Sequence, residues 1–71
     1  MDKYIINTKT MEDLTEWQSM ILSIKGAIEE IKKDPKTENF YGAFIYVTIN
    51  RLKEEYGINK DEIFKYRFNF I

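Results

Sequence analysis

Carboxylates recur in pairs along this chain: Glu12 with Glu16, Glu29 with Glu30, Glu54 with Glu55, and Asp61 with Glu62. Acid–base catalysis by such a pair needs one member in an apolar pocket, where desolvation raises its pKa above its neighbour's. Adjacent residues on a helix point about 100° apart, so Glu29/Glu30 and Glu54/Glu55 cannot converge on one target. Glu12 and Glu16 do share a face, but the first turn of a helix attracts acids for capping and dipole reasons alone. The chain has no His and no Cys, which removes an imidazole base, a thiolate nucleophile and the usual zinc sites. No loop offers the several convergent oxygens that a hard cation requires. Ser19 and Ser23 lack a His partner, and nothing marks Lys25 or Lys32 as a buried nucleophile. The glycines Gly26, Gly42 and Gly57 stand alone, without the strand–loop–helix setting of a phosphate cradle. The expectation is a non-catalytic protein with no cofactor and no metal.

A second chemistry to weigh is nucleic-acid recognition. Gly57 falls where a helix-turn-helix places its turn glycine, with Leu52, Ile58, Ile63 and Tyr66 at the locking apolar positions. The reading helix would then offer Asn59, Lys60 and Lys65, with Arg67 beyond. Lys53, however, stands where a small residue normally lets the helices close, and Asp61 and Glu62 would face phosphates. Lys65-Tyr66-Arg67-Phe68 also mixes cations with aromatics as single-strand binders do, but over too few residues to track a strand. A formal charge of -1 and a pI near 5.4 lack the basic excess that phosphate binding uses. A small DNA-binding regulator built around Gly57 is therefore the alternative reading, and nucleic acid is not the expected partner.

The elements that would position any site follow from periodicity. Thr10 offers an N-cap with Asp13 at the answering position. Leu14, Trp17, Ile21, Ile24, Ile28 and Ile31, joined by Met20 and Ala27, then form one helical stripe. Glu29 and Lys33 are spaced as an i,i+4 pair, and Asp34-Pro35 ends the helix. Gly26 faces away from the stripe, either as a tolerated glycine or where a second surface approaches the backbone. Phe44 to Ile49 is β-branched and aromatic, as strands are. Yet Tyr41, Phe44, Ile45, Thr48, Ile49, Leu52 and Tyr56 share one helical face, and Gly57 suits a helix C-terminus. Asn59 and Glu62 are spaced as a capping box, and Ile58 and Ile63 as a hydrophobic staple. The expected fold is a mainly α single domain (1–71). It has helices at about 11–33 and 38–56, antiparallel across a short link, and a short third helix at about 60–66. The tail from Lys65 alternates polar and aromatic residues; it either continues that helix or forms a strand pairing with Tyr4-Ile5-Ile6.

Size bounds what this fold can do alone. Seventy-one residues without Cys give a core worth about 3–5 kcal/mol, with no disulfide to add to it. Eleven aromatics and two broad apolar stripes exceed what two helices hide from one another. Tyr and Trp also concentrate binding energy at interfaces. The expected role is a small regulatory protein that binds another protein, such as an inhibitor, antitoxin or immunity-like factor. Its expected surface is Phe40, Phe44, Tyr46, Val47, Tyr66, Phe68 and Phe70, and homodimerisation into a four-helix arrangement is expected. Ile, Lys, Asn, Tyr and Phe, whose codons are AT-rich, make up half of the residues. That points to a low-GC host, or to a virus or mobile element within one. No leader is evident at the start, and the longest uncharged run, Asn39 to Asn50, is shorter than the ~20 residues that span a bilayer. The expected location is the cytoplasm.

Overall fold

The computed structural model describes residues 3–71, so Met1 and Asp2 of the start read for a leader lie outside the described residues. The chain is mainly α, with two long helices, a one-turn helix and a two-stranded parallel sheet: β1 (Ile5–Thr8), α1 (Glu16–Lys33), α2 (Glu38–Tyr56), α3 (Lys60–Ile63) and β2 (Arg67–Phe70). Among the described residues, no helix is long and apolar enough to cross a membrane.

The first helix starts later than the Thr10 signal implies. Asp13 accepts hydrogen bonds from the Thr10 backbone N–H and hydroxyl, both at 3.3 Å, but this closes only a 3-10 turn over Met11–Asp13. Leu14 then leaves the helical region at ψ 143. A second box follows, in which the Thr15 N–H donates to Gln18 Oε1 at 3.0 Å, and α1 runs from there. Two Thr-x-x-acceptor boxes five residues apart compete, and the longer helix grows from the second. Leu14 is consequently a half-buried linker residue instead of the first member of the stripe. Glu29 pairs with Lys32 at 3.6 Å rather than with the expected Lys33, an exposed contact of small worth.

Residues 44–49 are helical within α2. Their periodicity outweighs their strand propensity because Ile45, Ile49 and Leu52 on one face pack against α1. Thr48 is buried with them, its hydroxyl donating to the Phe44 carbonyl at 2.7 Å, so no polar group is orphaned. Gly57 closes the helix at φ 67 with its N–H on the Lys53 carbonyl, while the Ile58 N–H reaches Leu52 (both 3.1 Å). A side chain there would be strained, which is why glycine occupies it. The salt bridge from Glu16, at the start of α1, to Arg51, late in α2, is 3.3 Å long and marks the helices as antiparallel.

The third helix is one turn rather than two. Asn59 caps it through its carbonyl, which accepts from the Glu62 and Ile63 N–H groups, and not through its side chain. From Arg67 the chain is extended, paired in parallel with β1 in the register Ile5↔Arg67, Ile6↔Phe68, Asn7↔Asn69 and Thr8↔Phe70. Alternation turns Ile6, Thr8 and Phe68 inward. Outward, the Asn69 side-chain amide donates to Asn7 Oδ1 at 3.0 Å. A two-stranded ribbon is marginal in water; this one persists because its inner face lies on the helices. The core they share is Met20, Ile21, Ile24, Leu52 and Ile63.

Candidate functional site

The expected interface residues divide into two sets. Phe40, Phe44, Tyr46 and Val47 lie on the first half of α2 and stay exposed, at 74%, 41%, 69% and 56% respectively. Phe44, read from the sequence as part of the core face, sits at its margin instead. Phe40, Phe44 and Val47 are spaced as one stripe, which adjoins the face of the buried Thr48 and Leu52 along the Phe44 edge. Phe40 also meets Tyr41 edge-on, with ring centroids 5.1 Å apart. Below Val47 the same face turns polar, through Asn50, Arg51, Glu54 and Glu55. The Arg51 guanidinium is held by Glu55 Oε2 at 2.7 Å and Glu16 Oε1 at 3.3 Å.

Tyr66 and Phe68 are half-buried, because both pack partly against the core. The Tyr66 ring sits between Tyr4 and Trp17, with centroids at 5.0 and 5.4 Å and edge-to-face angles of 77° and 64°. The Lys3 and Lys65 ammonium groups lie over the Tyr4 ring, 5.0 and 5.5 Å from its centroid. These ring contacts tie the segment before β1 to the segment before β2. Burial raises the Tyr66 phenol pKa above 10.0, with the Glu62 charge adding to the effect. A raised phenol pKa means that the unfolded chain ionises first. The stability it contributes is therefore complete below about pH 10 and is lost as pH climbs toward the folded value. Tyr66→Phe is expected to leave stability near pH 7 little changed and to resist alkaline unfolding better. Urea titrations by circular dichroism at neutral and alkaline pH check this.

Phe70 lies at a second apolar place that periodicity did not reveal. A groove of about 710 Å³ runs beside α1, lined by Met11, Leu22, Ile28, Phe64 and Phe70, with Lys25, Lys32 and Glu29 among its polar members. Gly26 lines it too, and no atom lies within 4 Å of where its Cβ would stand. Among the described residues no second surface approaches that glycine. Phe64 and Met11 could have been flagged from sequence only as apolar residues next to capping and turn signals.

The nucleic-acid residues do not converge. Asn59 and Lys60 stand exposed at the start of α3, Lys65 lies over Tyr4, and Arg67 is on the outer face of β2. A one-turn α3, followed at once by a strand, is too short to lie along a major groove as a reading helix does. Among the described residues no three His, Cys, Asp or Glu side chains cluster as metal ligands would. No known protein family matches the chain, and comparison with curated proteins and with solved structures finds nothing similar.

Proposed function

We propose that this is a small non-catalytic interaction protein that regulates another polypeptide by docking it on the outward face of α2. The single observation carrying the reading is the exposed set Phe40, Phe44, Tyr46 and Val47, on a helix whose opposite face already supplies the core. Large aromatic side chains lose little conformational entropy on contact and supply most of the energy of typical protein interfaces. The accessible surface supports the same reading. It totals 5368 Å², where a folded monomer of this mass exposes about 4,700 Å². The radius of gyration, 12.5 Å, also exceeds the roughly 11 Å of a compact chain of this length. An inhibitor, antitoxin or immunity-like factor of a mobile element or virus fits the small size, the slightly acidic charge and the AT-rich codon usage. The cytoplasm of a low-GC host is its proposed setting.

Affinity capture from host cells with the wild-type chain and with Tyr46→Glu tests the reading. A partner retained by the wild type and lost from the variant is expected. Tyr46 is exposed at 69%, so the variant folds normally and its circular dichroism serves as the control. Equal recovery by both chains overturns the reading.

A further inference from the structure

We infer that the groove beside α1 binds an amphipathic monocarboxylate, an acyl chain of about ten carbons that ends in one carboxylate. None of the residues lining this groove belongs to α2, so the site and the docking face proposed above stand or fall separately. Its volume, about 710 Å³, falls within the range of small-molecule sites, about 300–1,000 Å³. Leu22, Gly26, Glu29 and Lys32 follow one another at steps of four, three and three residues, so the groove tracks one face of α1 for about 15 Å. An extended chain advances about 1.2 Å per bond, and about ten carbons with their carboxylate nearly fill that length.

The apolar body of the ligand is set by the walls and the floor. Phe64, Phe70 and Met11 line the groove and remain exposed, at 45%, 52% and 64%, and an acyl chain laid between them and Leu22 removes apolar surface from water on both sides. Gly26 opens the floor. With no atom within 4 Å of where its Cβ would stand, a ligand reaches the helix backbone at a point where any other residue would project a side chain. A glycine inside α1 costs helix stability, and an open floor is what it provides in return.

Lys25 selects the head group. It lines the groove and is half-buried, as a lysine is when its methylene stem packs and its ammonium stays in water. Among the described residues no acid pairs with it. Glu29, the one acid lining the groove, is turned to Lys32 at 3.6 Å, so those two charges offset each other. Of the acids near Met11 and Phe64 in sequence, Glu12 and Glu62 do not line the groove, and Asp13 accepts from Thr10 at 3.3 Å. One uncompensated ammonium beside an apolar floor matches one carboxylate on an apolar chain. A cationic head would meet like charge there.

Decanoate, kept below its micelle concentration, is titrated into the isotopically labelled full chain. It is expected to shift the amide resonances of Leu22, Gly26, Phe64 and Phe70 with a Kd of about 0.1–1 mM, and to leave those of Phe40 and Tyr46 in place. Decylammonium, the same chain with the opposite charge, is expected to bind at least about tenfold more weakly, and decanoate is expected to lose the same factor on Lys25→Glu. Gly26→Leu projects a side chain into open space. It is expected to abolish the shifts while the circular dichroism spectrum stays that of the wild type and the thermal midpoint does not fall, leucine being the better helix former. No shifts at about 5 mM decanoate, or undiminished binding by Gly26→Leu, overturns the inference. Equal affinity for chains of either charge also overturns it, and marks a groove that takes any apolar matter, a partner protein's side chains included. Movement of the Phe70 resonance on dilution of the unliganded chain would show a second copy seated in the groove and overturns it likewise.

Discussion

Leu52→Ala is expected to leave most of the chain unfolded or close to its unfolding midpoint in buffer. Leu52 is fully buried where α2 meets α1, alongside Ile21, Ile24 and Ile63, each likewise at 0% exposure. Deleting a buried leucine side chain costs about 2–5 kcal/mol, as lost transfer energy plus the cavity left behind. A core of this size contributes about 3–5 kcal/mol in all, so one such cavity removes most of the margin. Leu52 also accepts, through its carbonyl, the 3.1 Å bond from the Ile58 N–H that closes the helix, and loosening its side chain loosens that turn. Helical circular dichroism followed through a urea titration measures the effect. Tyr46→Ala, on the opposite face, is expected to shift stability by less than about 0.5 kcal/mol. A Leu52→Ala midpoint near the wild-type value would show that α1 and α2 do not depend on this seam.

The second large effect is expected at β1, where Ile6→Asp should detach the strand pair while Ile5→Asp leaves it in place. Ile6 is 7% exposed and faces the helices, whereas Ile5, one residue earlier, is 46% exposed on the outer face. An unpaired carboxylate forced into the inner position costs about 3–5 kcal/mol, more than a two-stranded ribbon can supply by itself. Loss of the pair would free the Arg67 and Ile71 N–H groups, which donate to the Tyr4 and Thr8 carbonyls at 2.8 and 2.9 Å. Hydrogen exchange at those two amides is the direct readout. Fast exchange in Ile6→Asp with protection kept in Ile5→Asp is the expected pattern. Equal behaviour of the two variants would contradict the register.

The bounds of α2 follow from local chemistry, since Pro35 excludes helix before it and Gly57 supplies the left-handed closure after it. That α1 starts at Glu16 and not beside Thr10 has an equally local reason. Thr10 and Thr15 both head capping boxes, and nothing within a turn of either says which one nucleates the long helix. The aromatic tail is a different case. Tyr66, Phe68 and Phe70 look alike in sequence, yet the first two pack on the core and Phe70 is 52% exposed at a groove. Period-two alternation puts Phe68 and Phe70 on one face of the strand, and only the extent of the helices beneath decides which of them finds cover.

Helix type and the buried stripe of α1 were set by contacts reaching no more than about four residues along the chain, and such contacts can be counted in a sequence. Joining Ile5–Thr8 to Arg67–Phe70, in parallel and in one register, spans 62 residues from Asn7 to Asn69. Closing that loop is an entropic cost that no local pattern offsets. It is met because the antiparallel helices bring the two ends together and the Tyr4–Tyr66–Trp17 contacts hold them there. The same long-range geometry left Phe40, Tyr46 and Val47 facing solvent, because α1 covers only one side of α2 and α3 is a single turn.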